Sequence, residues 1–146
     1  INEKFYLEQI MQANIRDGVN FGSEIRRRGF AEVIVPGIFF AGGWTQEHYM
    51  SLWEQVIEKF ATQIHFNNDW EFSNGCAQEF LFGMQRGKGL FARDGSPLAP
   101  LDQVGRIRIA IDEIDSIGAD PTTLYNTYRR IELAVSAPKM YSVGNG

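Results

Sequence analysis

The apolar positions change period along the chain, and each change marks an element. Leu7, Ile10, Met11, Ile15, Val19 and Ile25 fall near one stripe at a spacing of about 3.6 residues, which predicts an amphipathic helix. Arg26-Arg27-Arg28 suits the negative end of that helix's dipole, and Gly29 supplies the stop. Ala31-Glu32-Val33-Ile34-Val35 is short and β-branched and closes on Pro36-Gly37, which predicts a strand running into a loop. An aromatic, glycine-rich loop follows from Ile38 to Trp44, and Thr45 is placed to cap a second helix. In that helix Tyr49, Leu52, Trp53, Val56, Ile57 and Phe60 recur at helical spacing.

Gln63-Ile64-His65-Phe66 predicts a second strand, left through Asn67-Asn68-Asp69-Trp70. A third helix is expected to begin near Gly75, with Phe80, Leu81 and Met84 facing inward, and to end at Gly87. Gly89-Leu90-Phe91-Ala92 predicts a third strand, and Asp94-Gly95-Ser96-Pro97 a turn. Two further helices follow, one through Val104, Ile107, Ile111 and Ile114, the other capped by Asp120 with Pro121 at its first position. The tail from residue 136 to 146 is expected to be disordered.

Helix, strand, helix, strand, helix, strand is the alternation of βαβ units. It predicts an α/β fold whose parallel sheet carries helices on both faces, with the strands near Val33, Ile64 and Leu90 as neighbours. Because the pattern opens on a helix, a strand is expected before Ile1. The length of 146 residues fits one domain, placed at 1–135.

Composition narrows the function classes. Hydrophobic residues at 44% and charged residues at 22% are globular values. A net charge of −4, with no basic run longer than Arg26-Arg27-Arg28, argues against a sequence-independent grip on a nucleic-acid polymer. Cys76 is the single cysteine, so no intrachain disulfide forms, and a cytoplasmic location is expected. No apolar run approaches the roughly 18 residues of a membrane span. Neither metal-ligand spacing nor a cofactor motif is present.

In open parallel sheets ligands bind beyond the carboxyl ends of the strands, where helix amino ends converge. The loop from Asn67 to Gly75 carries the most functional groups of the three at that edge. A helix starting near Gly75 points free N–H groups at a ligand, Ser73 and Asn74 add polar groups, and Gly75 permits close backbone approach. Glu79 lies about one turn inside, too far for a capping box, and its carboxylate is the candidate nucleophile or charge stabiliser. Asp69 is a second candidate, able to assist a leaving group. Each has a plainer reading: Glu79 as a solvated helix residue, Ser73 as a helix entry, Asp69 as a strand end, and Phe39, Phe40, Trp44 and Trp70 as packing. His65 reads as a strand-face residue, His48 as an exposed helix residue. Cys76 has no His or second Cys near it in sequence, which argues against a thiol nucleophile, although a helix amino end would lower its pKa.

The run Ser73-x-Gly75-x-x-x-Glu79, after a strand and a short polar turn, resembles the signature of the nucleoside 2-deoxyribosyltransferase-like family. Arg28-Gly29, Pro36 and Gly87 support the resemblance, which covers roughly Leu7 to Phe91. It implies a flavodoxin-like (Rossmann-like) sheet and a Glu79 that acts at the anomeric carbon of a nucleoside or nucleotide. Ser73 in first place is similar to the branches that hold a 5′-phosphate and hydrolyse the N-glycosidic bond. Ser73, Asn74 and Gly75 would then hold the phosphate, while Phe39, Phe40, Trp44 and Trp70 stack on the base. The resemblance also implies a homodimer or higher homo-oligomer. The rival expectation is a non-catalytic nucleotide-derivative binding module, a sensor or sponge, on the same fold.

Overall fold

The computed structural model describes residues 3–30 and 32–137, with side chains from residue 13 onward except at 38. It is a mixed α/β structure of five α-helices and a two-stranded parallel sheet among the described residues. The chain divides into two compact units, Ile1–Trp53 and Glu54–Gly146, where the sequence predicts one domain over 1–135.

In the first unit, α1 runs Glu3–Arg27 and ends as the sequence predicts, with Gly29 at a φ of 100° in the left-handed region. Its buried residues include Phe21 and Ile25, while Val19 stays exposed. The predicted strand at Ala31–Val35 is the main departure. Residues 32–35 form no ladder among the described residues. Instead the two valines pack on α1, where Gly18 and Gly22 leave room: a Cβ at Gly22 would collide with a Val35 methyl carbon. Arg26 fixes the segment by donating from Nη2 to the Val33 carbonyl at 3.1 Å. The β-branched run predicts a strand, but its valines pack on a helix and join no sheet among the described residues.

A 3-10 turn at Pro36–Ile38 leads to the aromatic loop. Helix α2 spans Gln46–Phe60, and Thr45 caps it as predicted. The cap is reciprocal: the Thr45 hydroxyl accepts from the His48 amide at 3.4 Å, and His48 Nδ1 accepts from the Thr45 amide at 2.9 Å. The loop is tied to α2 by the Tyr49 hydroxyl, which accepts from the Ala41 amide and donates to the Ala41 carbonyl. Phe39 packs its ring against Trp44, Tyr49 and Trp53 at centroid distances of 5.8, 6.5 and 5.9 Å.

The second unit holds the sheet. Strand β1 (Gln63–His65) pairs in parallel with β2 (Gly89–Phe91), and Ile64 lies opposite Leu90 as the sequence predicts. The crossover between them contains a 3-10 turn at Trp70–Phe72 and α3, Asn74–Gln85. Ile64 and Leu90 both meet α3 at Gly83, where a Cβ would come within 2.6 and 3.0 Å of their terminal methyls. His65 and Phe91 take the other face and stack at 5.1 Å. After β2 the chain turns at Asp94-Gly95, with Asp94 accepting from the Ser96 amide and hydroxyl. It returns to bridge Phe91 with Pro97, and the Leu98 amide donates to the Leu90 carbonyl, so the outer edge of β2 is occupied.

Helices α4 (Pro100–Ser116) and α5 (Thr122–Ser136) form a hairpin packed on the crossover. Asp120 still bonds the Thr122 amide, although the helix starts one residue after the predicted Pro121. The core is continuous through Phe66, Trp70, Phe80, Leu81, Ile107, Leu124 and Ile131. The expected disordered tail begins inside α5 at Ser136, and residues 138–146 lie outside the described residues. The expected strand before Ile1 lies outside them too.

Candidate functional site

Where β1 ends, Phe66 is still bound to the sheet, its amide donating to the Phe91 carbonyl at 2.8 Å. Asn67 then bridges the two strand exits. Its Oδ1 accepts from Arg93 Nη1 and from the Asn68 amide, each at 2.8 Å. Sequence reading passed over Asn67 and Arg93 because neither belongs to a motif. The only signal was position, since each follows a strand at the edge where ligands bind.

Asp69 takes a left-handed backbone, φ 60° and ψ 22°, and swings the chain into the 3-10 turn. That reversal carries Trp70 inward. At 6% exposure Trp70 is a core residue, stacked on Phe80 at 4.8 Å and packed on Phe66, and its ring is not a surface for a base. The correction has a simple cause: aromatic residues in a loop read as ligand walls, yet a tight 3-10 turn presents one residue in three to the core. Asp69 itself is exposed and lines a groove against α4 that contains neither Ser73 nor Glu79. Phe39, Phe40 and Trp44 belong to the first unit.

Ser73 is the N-cap of α3. Its backbone is extended, and its Oγ accepts from the Cys76 amide at 3.2 Å. Asn74 and Gly75 are thus the first two helical residues, a start one residue earlier than predicted, and their amides have no acceptor within the helix. The three residues named for phosphate binding do sit together at one helix amino end.

Glu79 is the sixth residue of α3, beside Cys76 on its face, while Phe80 and Leu81 turn into the core as predicted. The residue keeps some exposed surface, but its carboxyl lies deep among protein atoms. Among the described residues no cation or hydrogen-bond donor meets it, and burial alone pushes its pKa from 4.5 up to about 7. Cys76 behaves oppositely to the expectation from its helix position. Burial, with the Glu79 charge adding to it, pushes the thiol up to about 11, and the hydrogen bond to Ser73 offsets only part of this. At neutral pH Cys76 is a protonated, unreactive thiol.

The arrangement therefore offers a helix amino end with two open amides and a hydroxyl. One turn further in lies a carboxyl group that changes charge near neutral pH. Among the described residues no three His, Cys, Asp or Glu side chains converge as a metal site, and no helix is long and apolar enough to cross a membrane. No protein family, curated protein or solved structure matches the chain.

Proposed function

We propose that the second unit acts on a nucleoside 5′-monophosphate at its N-glycosidic bond, as a divergent relative of the nucleoside 2-deoxyribosyltransferase-like enzymes on a flavodoxin-like plan. The observation that carries this reading is Glu79: a carboxyl sunk behind a helix amino end at the carboxyl edge of a parallel β–α–β crossover, with no partner among the described residues that explains its burial. A buried carboxyl that nothing compensates is destabilising, and such groups concentrate at functional sites.

In the proposed reaction the Asn74 and Gly75 amides and the Ser73 hydroxyl hold the phosphate. The Glu79 carboxylate attacks the anomeric carbon as the carbon–nitrogen bond breaks, and the base leaves with that electron pair and takes up a proton. The resulting glycosyl ester is then opened by water, which returns the carboxylate. A group with pKa about 7 is half ionised at neutral pH, so a nucleophilic Glu79 gives activity that rises with pH through about 7 and then levels. A general-acid Glu79 gives the mirror image, falling through the same range.

One feature favours the binding-module reading. Burial without a cation disfavours the ionised form that a nucleophile needs. The two are separated by incubating the protein with a panel of nucleosides and their 5′-monophosphates and assaying free base by chromatography. Monophosphate-dependent base release supports the enzyme. Thermal protection by monophosphates without base release supports the binding module, and neither effect removes both.

A further inference from the structure

A second surface of the same unit stands apart from Glu79. The 3-10 turn at Trp70–Phe72 crosses α4, and between them runs an open groove of about 780 Å³. The turn contributes Asp69, Glu71 and Phe72, because the left-handed backbone at Asp69 sends Trp70 inward and leaves its neighbours outside. Helix α4 contributes Arg106, Ile109 and Glu113, spaced i, i+3 and i+7 along one face.

Its chemistry is uneven. Phe72 and Ile109 form an apolar strip, and Ile109 is 60% exposed in the middle of a helix of 17 residues. Three carboxylates surround the strip against one guanidinium. None of these four charges forms an ion pair within the described residues, although Arg108 and Asp112 on the next face of the helix pair at 3.5 Å.

We propose that this groove is a docking site for a basic, amphipathic peptide segment of a partner protein. An exposed apolar strip between unneutralised carboxylates is complementary to a large apolar side chain flanked by Lys or Arg, the pattern that helix-in-groove recognition reads. The groove is open to solvent, whereas small-molecule sites enclose most of the ligand surface, so a peptide is the better match. The three carboxylates repel acidic or phosphate-bearing partners. The proposal is independent of the chemistry assigned to Glu79.

The test titrates the full chain into a fluorescent peptide of about 14 residues, Leu and Arg in amphipathic helical order, with Ser-for-Leu and Glu-for-Arg peptides as controls. The Leu/Arg peptide is expected to bind at micromolar Kd, and both controls at least about tenfold more weakly. Ile109→Ser and the Glu71→Gln, Glu113→Gln double variant should each weaken binding about tenfold, their folds checked by circular dichroism. Leu133→Ser, an exposed change on α5 outside the groove, should leave it unchanged. The proposal is overturned by no binding, by equal binding of the Ser-for-Leu peptide, by groove variants that bind as the parent does, or by an equal loss at Leu133→Ser.

Discussion

Glu79→Gln separates the energetic claim about the site from any claim about turnover. Gln is nearly isosteric with a protonated glutamate and cannot ionise. In the unfolded chain Glu79 titrates near 4.5, and in the folded protein near 7. Below about pH 4.5 both states are protonated, so the group contributes no pH-dependent difference. Between 4.5 and 7 the unfolded state loses its proton first, and folding stability falls as pH rises. Above 7 both states are ionised and the full penalty stands. The gap between 4.5 and about 7 corresponds to about 3 kcal/mol.

The variant should therefore match its parent at pH 4 and exceed it by about 3 kcal/mol at pH 8, or rather less if water reaches the carboxyl. Urea unfolding followed by far-ultraviolet circular dichroism at pH 4, 6 and 8 measures this directly, the midpoint shift carrying the difference at constant slope. Parallel pH profiles for the two proteins would refute the reasoning. They would mean that the carboxyl is solvated or that a cation compensates it.

Three further outcomes follow from the packing. Gln103→Leu, which removes a buried carbonyl oxygen without a partner among the described residues at nearly constant volume, should raise stability by about 1–2 kcal/mol in the same urea assay. Gly83→Ala should lower it by about 1–3 kcal/mol, because the new methyl meets Ile64 and Leu90 inside van der Waals distance where α3 crosses the sheet. Ser73→Ala removes the cap of α3 and should lower stability by about 1 kcal/mol. On the nucleotide reading it should also shrink the thermal protection given by monophosphates, and protection unchanged from the parent would detach Ser73 from the phosphate.

What the sequence revealed and what it hid follow one physical rule. Local signals were legible: the helix period through Val104 and Ile107, the glycine stop at Gly29, the Asp94-Gly95 turn and the Thr45 cap all depend on a few neighbouring residues. The pairing of Ile64 with Leu90 was also legible, because a helix between two short strands demands a parallel crossover. The fate of Val33 and Val35 was not, since β-branched alternation fixes an extended backbone without saying what covers it. Two glycines a turn apart in α1, Gly18 and Gly22, were the one available hint that chain packs there.

At the candidate site, spacing singled out Ser73 and Glu79, and the expected helix phase, with Phe80 and Leu81 turned inward, is the one observed. The direction of the Cys76 pKa was missed because a helix amino end and burial act oppositely on a thiol, and burial cannot be read from sequence. Trp70 was misplaced for the same reason: its neighbours in sequence are polar, while its neighbours in space are Phe66 and Phe80.

The central claim, that the Glu79 carboxylate acts at the anomeric carbon, is tested most directly by free-base release from a nucleoside 5′-monophosphate under single-turnover conditions, the parent beside Glu79→Gln. The account predicts release by the parent that rises with pH through about 7, and a loss of at least about 10³-fold in the variant, which still binds the nucleotide. A variant that releases base as fast as its parent, or a parent that releases none, contradicts it.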